Sequence, residues 1–300
     1  MASICGRRRF DGAGDSTAGA GSRAAAQDFA GRPSRFKETA GNRGRAPPMA
    51  REDEGTLAGP SGRIAWKRVR GRGPALFWLG GFASDMTGTK AAHLARSALT
   101  EGRAFLRFDY SGHGASEGRF EDGSISGWTE DALAVFDSLA EGPQIVIGSS
   151  MGGWIASLLA LKRPRRVAAL VFIAPAPDFT DALIWASMDE ATRERLMREG
   201  RIVEPSPYGG VTFITRRLIE DGRRNLLLGG PIAIACPVRI LHGMKDEEVP
   251  FAHALRFAEG IASPDVEITL VKDGDHRLSR PADLDLLWRT IAALGPGTAA

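Results

Sequence analysis

Between Gln144 and Pro164 the chain reads QIVIGSSMGGWIASLLALKRP. An apolar run of strand character meets a helical run, which stops at a proline, with no loop between them. A strand can enter a helix so abruptly only through a tight, strained turn, and that turn demands small residues. Gly148-Ser149-Ser150-Met151-Gly152 supplies them in the arrangement G-x-S-x-G, which lifts the hydroxyl of the central Ser150 clear of a sheet while Ser149 points elsewhere. The N–H of Met151 then lies at a helix start, unpaired and able to face negative charge. A serine hydroxyl does no chemistry at neutral pH without a positioned base, so the remainder of the chain has to provide one.

From Pro60 onward apolar strands alternate with helical segments: ALFWLGGF (75–82), KAAHLARSAL, RAFLRFDYSG (103–112), SISGWTEDALAVFDSLAE (124–141), VAALVFIAPA (167–176), CPVRILH (236–242), VEITLVK (266–272) and a closing helix in ADLDLLWRTIAAL. This rhythm predicts an α/β fold, a mostly parallel sheet covered on both faces. GRIAWKRV reads as an edge strand. The interval 178–233 breaks the pattern with helical text around a strand pair in GRIVEPSPYGGVTFI. It reads as a small cap inserted before the strand that carries the acid, where it would roof a site at the carboxyl ends of the strands; an elaborated surface loop is the plainer alternative. The core is thus expected over 56–177 and 234–300.

Residues 1–55 form an Arg-, Gly- and Ala-rich leader with too little apolar surface to offset the entropy of ordering it. Residues 1–48 carry a net +5, so the rest of the chain carries −2 although the whole is +3. The leader reads as a solvated tail, as text preceding a true start at Met49, or as a targeting or nucleic-acid arm. No apolar stretch in the chain is long enough to span a membrane, and no secretory segment follows the arginines. With only Cys5 and Cys236 there is neither a disulfide framework nor a zinc cluster, and a reduced, cytoplasmic setting is expected.

Five histidines compete to be the base. His93 and His253 fall in helical text, His113 in a turn after a strand, and His242 at a strand end. His276, in the loop VKDGDHRLSRP after the last strand, can fall back onto Ser150. Its orienting acid is sought in LHGMKDEEVP, where Asp246 follows the strand directly and Glu247 and Glu248 read as solvent-facing; Asp178 and Asp275 are the competing acids, and Asp109 reads as a loop organiser. The order Ser150, Asp246, His276 is the chain order of such triads on this architecture. Gly80-Gly81 lets the backbone approach the site, which makes the N–H of Phe82 the partner of that of Met151 for an oxyanion.

LGGF, RFDYSGHGASEGRFEDGSISGW, GPQIVIGSSMGGW, CPVRILHGMKDEEVP and GDHRLSR resemble the alpha/beta-hydrolase branch that includes the mitochondrial palmitoyl-protein thioesterase, also described as the mycophenolic acid acyl-glucuronide esterase. The resemblance runs from about residue 60 to the end and is weakest in the cap. It implies an alpha/beta-hydrolase fold, catalytic residues at Ser150, Asp246 and His276, oxyanion donors at Phe82 and Met151, and hydrolysis of activated esters such as S-acylated cysteines and acyl glucuronides. No metal or organic cofactor has a role in that chemistry, and the expected partner is a small-molecule or lipid-modified ester or thioester rather than a specific nucleic acid. An aminopeptidase or a C–C bond hydrolase on the same triad, and a catalytically silent binding module, are the alternative classes; a Ser at 150 excludes a dehalogenase. In the cap, Phe179, Leu183, Ile184, Trp185 and Met188 are spaced to lay an apolar stripe. Together with Phe82 it would line a substrate pocket or, alternatively, seat the cap on the sheet.

Overall fold

The computed structural model describes residues 52–205 and 211–295. The leader up to residue 51, and the readings that fall on it, lie outside the described residues.

Strands β1 (Glu52–Gly59), β2 (Gly62–Val69) and β3 (Arg72–Leu79) are followed by α1 (Thr89–Glu101), β4 (Arg103–Phe108), α2 (Ile125–Leu139), β5 (Gln144–Ser149), α3 (Met151–Lys162) and β6 (Val167–Ile173). The insertion then supplies α4 (Glu190–Glu199), β7 (Arg201–Pro205), β8 (Val211–Thr215) and α5 (Arg216–Gly222). The core resumes with β9 (Val238–Gly243), α6 (Phe251–Gly260), β10 (Val266–Val271) and α7 (Pro281–Ala293). Eight strands form one sheet in the order β1-β2-β4-β3-β5-β6-β9-β10. From β4 to β10 every pairing is parallel, and β1 and β2 join antiparallel. The mostly parallel sheet is what the strand–helix rhythm predicts, and its order is the alpha/beta-hydrolase arrangement that the resemblance implies.

Alternation along a strand divides the core. On β5, Ile145 and Ile147 pack with Leu94, Ala98, Leu287 and Ile291 from α1 and α7, while Val146 packs with Phe136, Trp154, Ile155 and Phe257 on the opposite face. Both faces are buried, so the strand is apolar throughout.

The edge is where the structure departs from expectation. β2 is not an edge strand, because β1 pairs with it along its whole length from Glu52↔Val69 to Gly59↔Gly62. Residues 52–55, assigned to the leader, therefore belong to a strand of the sheet. The sequence EDEGTLAG hides the strand because its acids look solvated. They are paired instead: Glu52 with the buried Arg107 at 2.8 Å, Asp53 with Arg70 at 2.7 Å and Glu54 with Lys67 at 2.8 Å.

The cap lies between β6 and β9. Its hairpin, β7–β8, and helices enclose a small core of their own, Leu196, Ile202, Ile214 and Ile219.

Candidate active site

Ser150 sits between β5 and α3 with φ 54° and ψ −120°, the strained conformation a strand-to-helix elbow imposes. Its N–H donates to the Ile173 carbonyl at 2.9 Å, and its own carbonyl accepts from Gly153 at 2.8 Å. The glycines around it are sterically required: a Cβ on Gly152 would meet the Leu79 carbonyl oxygen at 2.2 Å, and one on Gly148 the Gly152 oxygen at 2.4 Å.

Three side chains meet there. Ser150 Oγ lies 3.1 Å from His276 Nε2, and His276 Nδ1 lies 2.7 Å from Asp246 Oδ2. With Nδ1–H donating to the carboxylate, Nε2 is left to accept from the serine hydroxyl. The Asp246 side chain has no exposed surface. Its Oδ1 accepts from the N–H groups of Glu248 at 3.0 Å and Val249 at 2.8 Å, and His242 Nε2, which donates to the Val249 carbonyl at 2.9 Å, lies 3.2 Å from Oδ2. Burial would raise this carboxyl, but the hydrogen bonds from His242, His276 and Val249 outweigh it and hold Asp246 well below the usual carboxylate range.

The competing acids have other tasks. Asp178, buried at φ 57°, accepts from the N–H groups of Leu227 and Leu228, and Asp275 accepts from the N–H of Leu278 at 3.0 Å. Asp109 organises its loop, accepting from Met86 and Ala115. Glu247 and Glu248 are both exposed, as expected, and Glu248 in addition lines the site, with Oε2 3.8 Å from His276 Nε2. Among the other histidines, His93 stands beside Ser97 on α1, and His253 Nε2 donates to the Pro177 carbonyl at 2.7 Å.

A cavity of about 590 Å³ opens over Ser150 and His276. Phe82, Met151, Phe179, Leu183 and Ile184 line it. Trp185 and Met188 do not: they pack against the cap's own core, and the Trp185 ring lies under the guanidinium of Arg223 at 4.4 Å. The stripe thus divides: one part faces the cavity, and the other packs inside the cap rather than seating it on the sheet. Thr212 and Ile214 of β8 also reach the cavity, and so does Lys90, which burial pushes down to about 8 and whose Nζ donates to the Arg277 carbonyl at 2.5 Å. Sequence reasoning missed all three. Alternation in VTFIT marks one face of β8 but cannot say that it faces Ser150. Gly81 abuts the nucleophile, with the position of its missing Cβ 3.5 Å from that of Ser150. Among the described residues no group of three or more His, Cys, Asp or Glu side chains could hold a metal ion, and no helix is long and apolar enough to cross a membrane.

Sheet order, elbow and cap together define the class: an enzyme of alpha/beta-hydrolase fold built around a serine. The family model described as serine aminopeptidase, S33, matches residues 76–203. The mouse protein named palmitoyl-protein thioesterase ABHD10, mitochondrial, is 40% identical over 232 residues, covering 76% of this chain and 77% of its own. Among solved structures, a hydrolase from Agrobacterium vitis S4 matches at 43% identity and a TM-score of 0.79, covering 82% of this chain and 100% of that one. Mouse alpha/beta hydrolase domain-containing protein 10 matches at 39% and 0.75, covering 81% and 98%. The chain belongs to the alpha/beta-hydrolase superfamily, on the branch of ABHD10, and is a serine-dependent hydrolase of esters and thioesters.

The expected cytoplasmic setting is corrected by the same finding, since the mouse relative is mitochondrial by name. The inference rested on sparse cysteines. Cysteine economy marks any reducing compartment and does not choose between the cytosol and an organelle interior.

Proposed function

We propose that Ser150 is the nucleophile, His276 the general base and acid, Asp246 the residue that orients His276, and the N–H groups of Phe82 and Met151 the oxyanion donors. The acyl carbon bonds to Ser150 Oγ as the hydroxyl proton passes to His276 Nε2. The intermediate collapses, its bond to the leaving thiol or alcohol breaks, and that group departs with the proton from His276. Water then repeats the sequence on the acyl-enzyme and regenerates Ser150. The substrates proposed are acyl thioesters and activated esters with medium to long acyl chains, of the S-acyl-protein or acyl-glucuronide kind. The observation that carries this reading is the unbroken reach from Asp246 through His276 to Ser150, at 2.7 and 3.1 Å, beneath an apolar wall of Phe82, Phe179, Leu183 and Ile184.

Glu248 supports a second reading. A carboxylate lining the cavity 3.8 Å from His276 Nε2 could meet the free amine of an aminoacyl substrate, in keeping with the description of the matching family model. A serine-directed fluorophosphonate should label the wild type and spare S150A. Acyl thioesters, oxygen esters, an acyl glucuronide and an aminoacyl amide compared at matched acyl length then decide between the readings: preference for the amide would transfer the assignment to a peptidase.

A further inference from the structure

The end of β4 and the turn after it, DYSGHGAS, have no part in the chemistry described so far, yet they grip the loop that carries Phe82 at several points. Arg107 donates through Nη1 to the Met86 carbonyl at 2.8 Å, and Asp109 Oδ1 accepts from the Met86 N–H at 2.6 Å. Nearest the nucleophile, His113 Nε2 accepts from the N–H of Ala83 at 3.2 Å. Ala83 is held at φ 55°, a left-handed conformation that costs an L-residue energy and persists only where its surroundings enforce it.

The ring that makes this contact has little freedom. His113 is buried, its Nδ1 lies 3.2 Å from the Ser111 carbonyl, and Tyr110, Phe120 and Trp128 meet it with ring centroids 5.7, 5.0 and 5.2 Å away. With Nδ1–H committed to Ser111, Nε2 presents a lone pair to Ala83. Burial pushes the imidazole down to about 4, so the ring stays neutral at physiological pH and that lone pair remains an acceptor. The Phe82 ring rests on two of the same aromatics, Phe120 at 4.9 Å and Trp128 at 5.9 Å. The side chain of Phe82 and the peptide that follows it are thus tied to one cluster.

We propose that His113 is a positioning residue for acyl transfer: by holding the Ala83 N–H it fixes the backbone at Phe82 so that the Phe82 N–H faces the developing oxyanion. Chemistry at Ser150 needs this donor placed before the reaction begins, because preorganised donors avoid reorganisation at the transition state. The proposal rests on Phe82 being an oxyanion donor. Its signature is loss of transition-state binding without matching loss of ground-state binding.

The test compares a long-chain alkyl trifluoromethyl ketone, whose carbonyl adds Ser150 Oγ and becomes an oxyanion, with the methyl ketone of the same chain, which binds without adding. Dissociation constants are measured directly by titration calorimetry for the wild type, S150A, H113A and H113Q; Gln returns an acceptor oxygen at about the reach of Nε2. H113A should weaken the trifluoromethyl ketone by about 10- to 100-fold, leave the methyl ketone within about threefold, and lower kcat more than it raises KM; H113Q should recover most of the loss. Should H113A not fold, H113M, which fills the ring's volume without an acceptor, takes its place. Equal weakening of both ketones, or no effect on either, would overturn the role of His113. If S150A bound the trifluoromethyl ketone as tightly as the wild type, the assignment of Ser150 would fail instead, which separates the two outcomes.

Discussion

Asp178 and Leu227 meet across 49 residues of sequence, the carboxylate accepting the Leu227 N–H at 2.8 Å. Asp178 opens the cap insertion and Leu227 stands near its far end, so one buried side chain draws the two ends together. Both oxygens of Asp178 are engaged by the backbone N–H groups of Leu227 and Leu228. Asp246, by contrast, offers Oδ2 to His276.

Asp178 and Asp246 should therefore fail differently. D178A leaves the N–H groups of Leu227 and Leu228 unpaired and should cost about 2–4 kcal/mol of stability, read from denaturant unfolding, while the folded protein loses less than tenfold in turnover. D246N should keep its fold and lose about 10³- to 10⁴-fold in kcat. The reverse pattern would exchange their roles.

Acidification provides a separate test of Asp246. Its folded pKa is depressed below the unfolded value, so its contribution to stability is complete above about pH 4 and is lost as pH falls toward the folded value. The denaturation midpoint of the wild type should drop on going below about pH 4, and that of D246N should drop less over the same interval. Parallel curves would show that the hydrogen bonds to this carboxylate add nothing to folding.

The division of the cap stripe predicts two phenotypes. Leu183 and Ile184 line the cavity, so L183A and I184A should flatten the gain in kcat/KM with acyl length, which amounts to at most about 0.8 kcal/mol, roughly fourfold, per buried methylene. Trp185 packs inside the cap and under Arg223, so W185A should lower stability and leave the slope with chain length intact. Kinetics on C2 to C16 thioesters separate the two. An unchanged slope in I184A would remove the acyl wall from the proposal.

Gly152 tests the elbow itself. A Cβ there would stand 2.2 Å from the Leu79 carbonyl oxygen and 2.5 Å from that of Gly80, both backbone atoms with little room to yield. G152A should displace the loop after β3 or the start of α3, with at least a hundredfold loss of fluorophosphonate labelling rate or failure to accumulate folded protein. Near-normal labelling would mean that the elbow tolerates the shift.

Local chemistry accounts for what was legible in advance. The period of apolar residues separates strand from helix without tertiary information, and the small residues of GSSMGG permit one kind of turn, so the α/β class, Ser150 and the insertion could all be read from the chain. Chain order and loop placement pointed to His276 and Asp246. Three matters waited for the folded molecule because each depends on what lies opposite. β1 was hidden because its acids find Arg107, Arg70 and Lys67 only on strands brought alongside it. Phe179, Leu183 and Ile184 face the cavity while Trp185 and Met188 do not, since the twist of a short helical segment between two packing surfaces decides that partition. His113 reads as a turn residue in the sequence, and its grip on Ala83 arises only when parallel pairing of β3 with β4 brings their two exit loops together at one end of the sheet. A chain's periodicity determines which elements form; the contacts between loops 30 residues apart are fixed only by the sheet that aligns them.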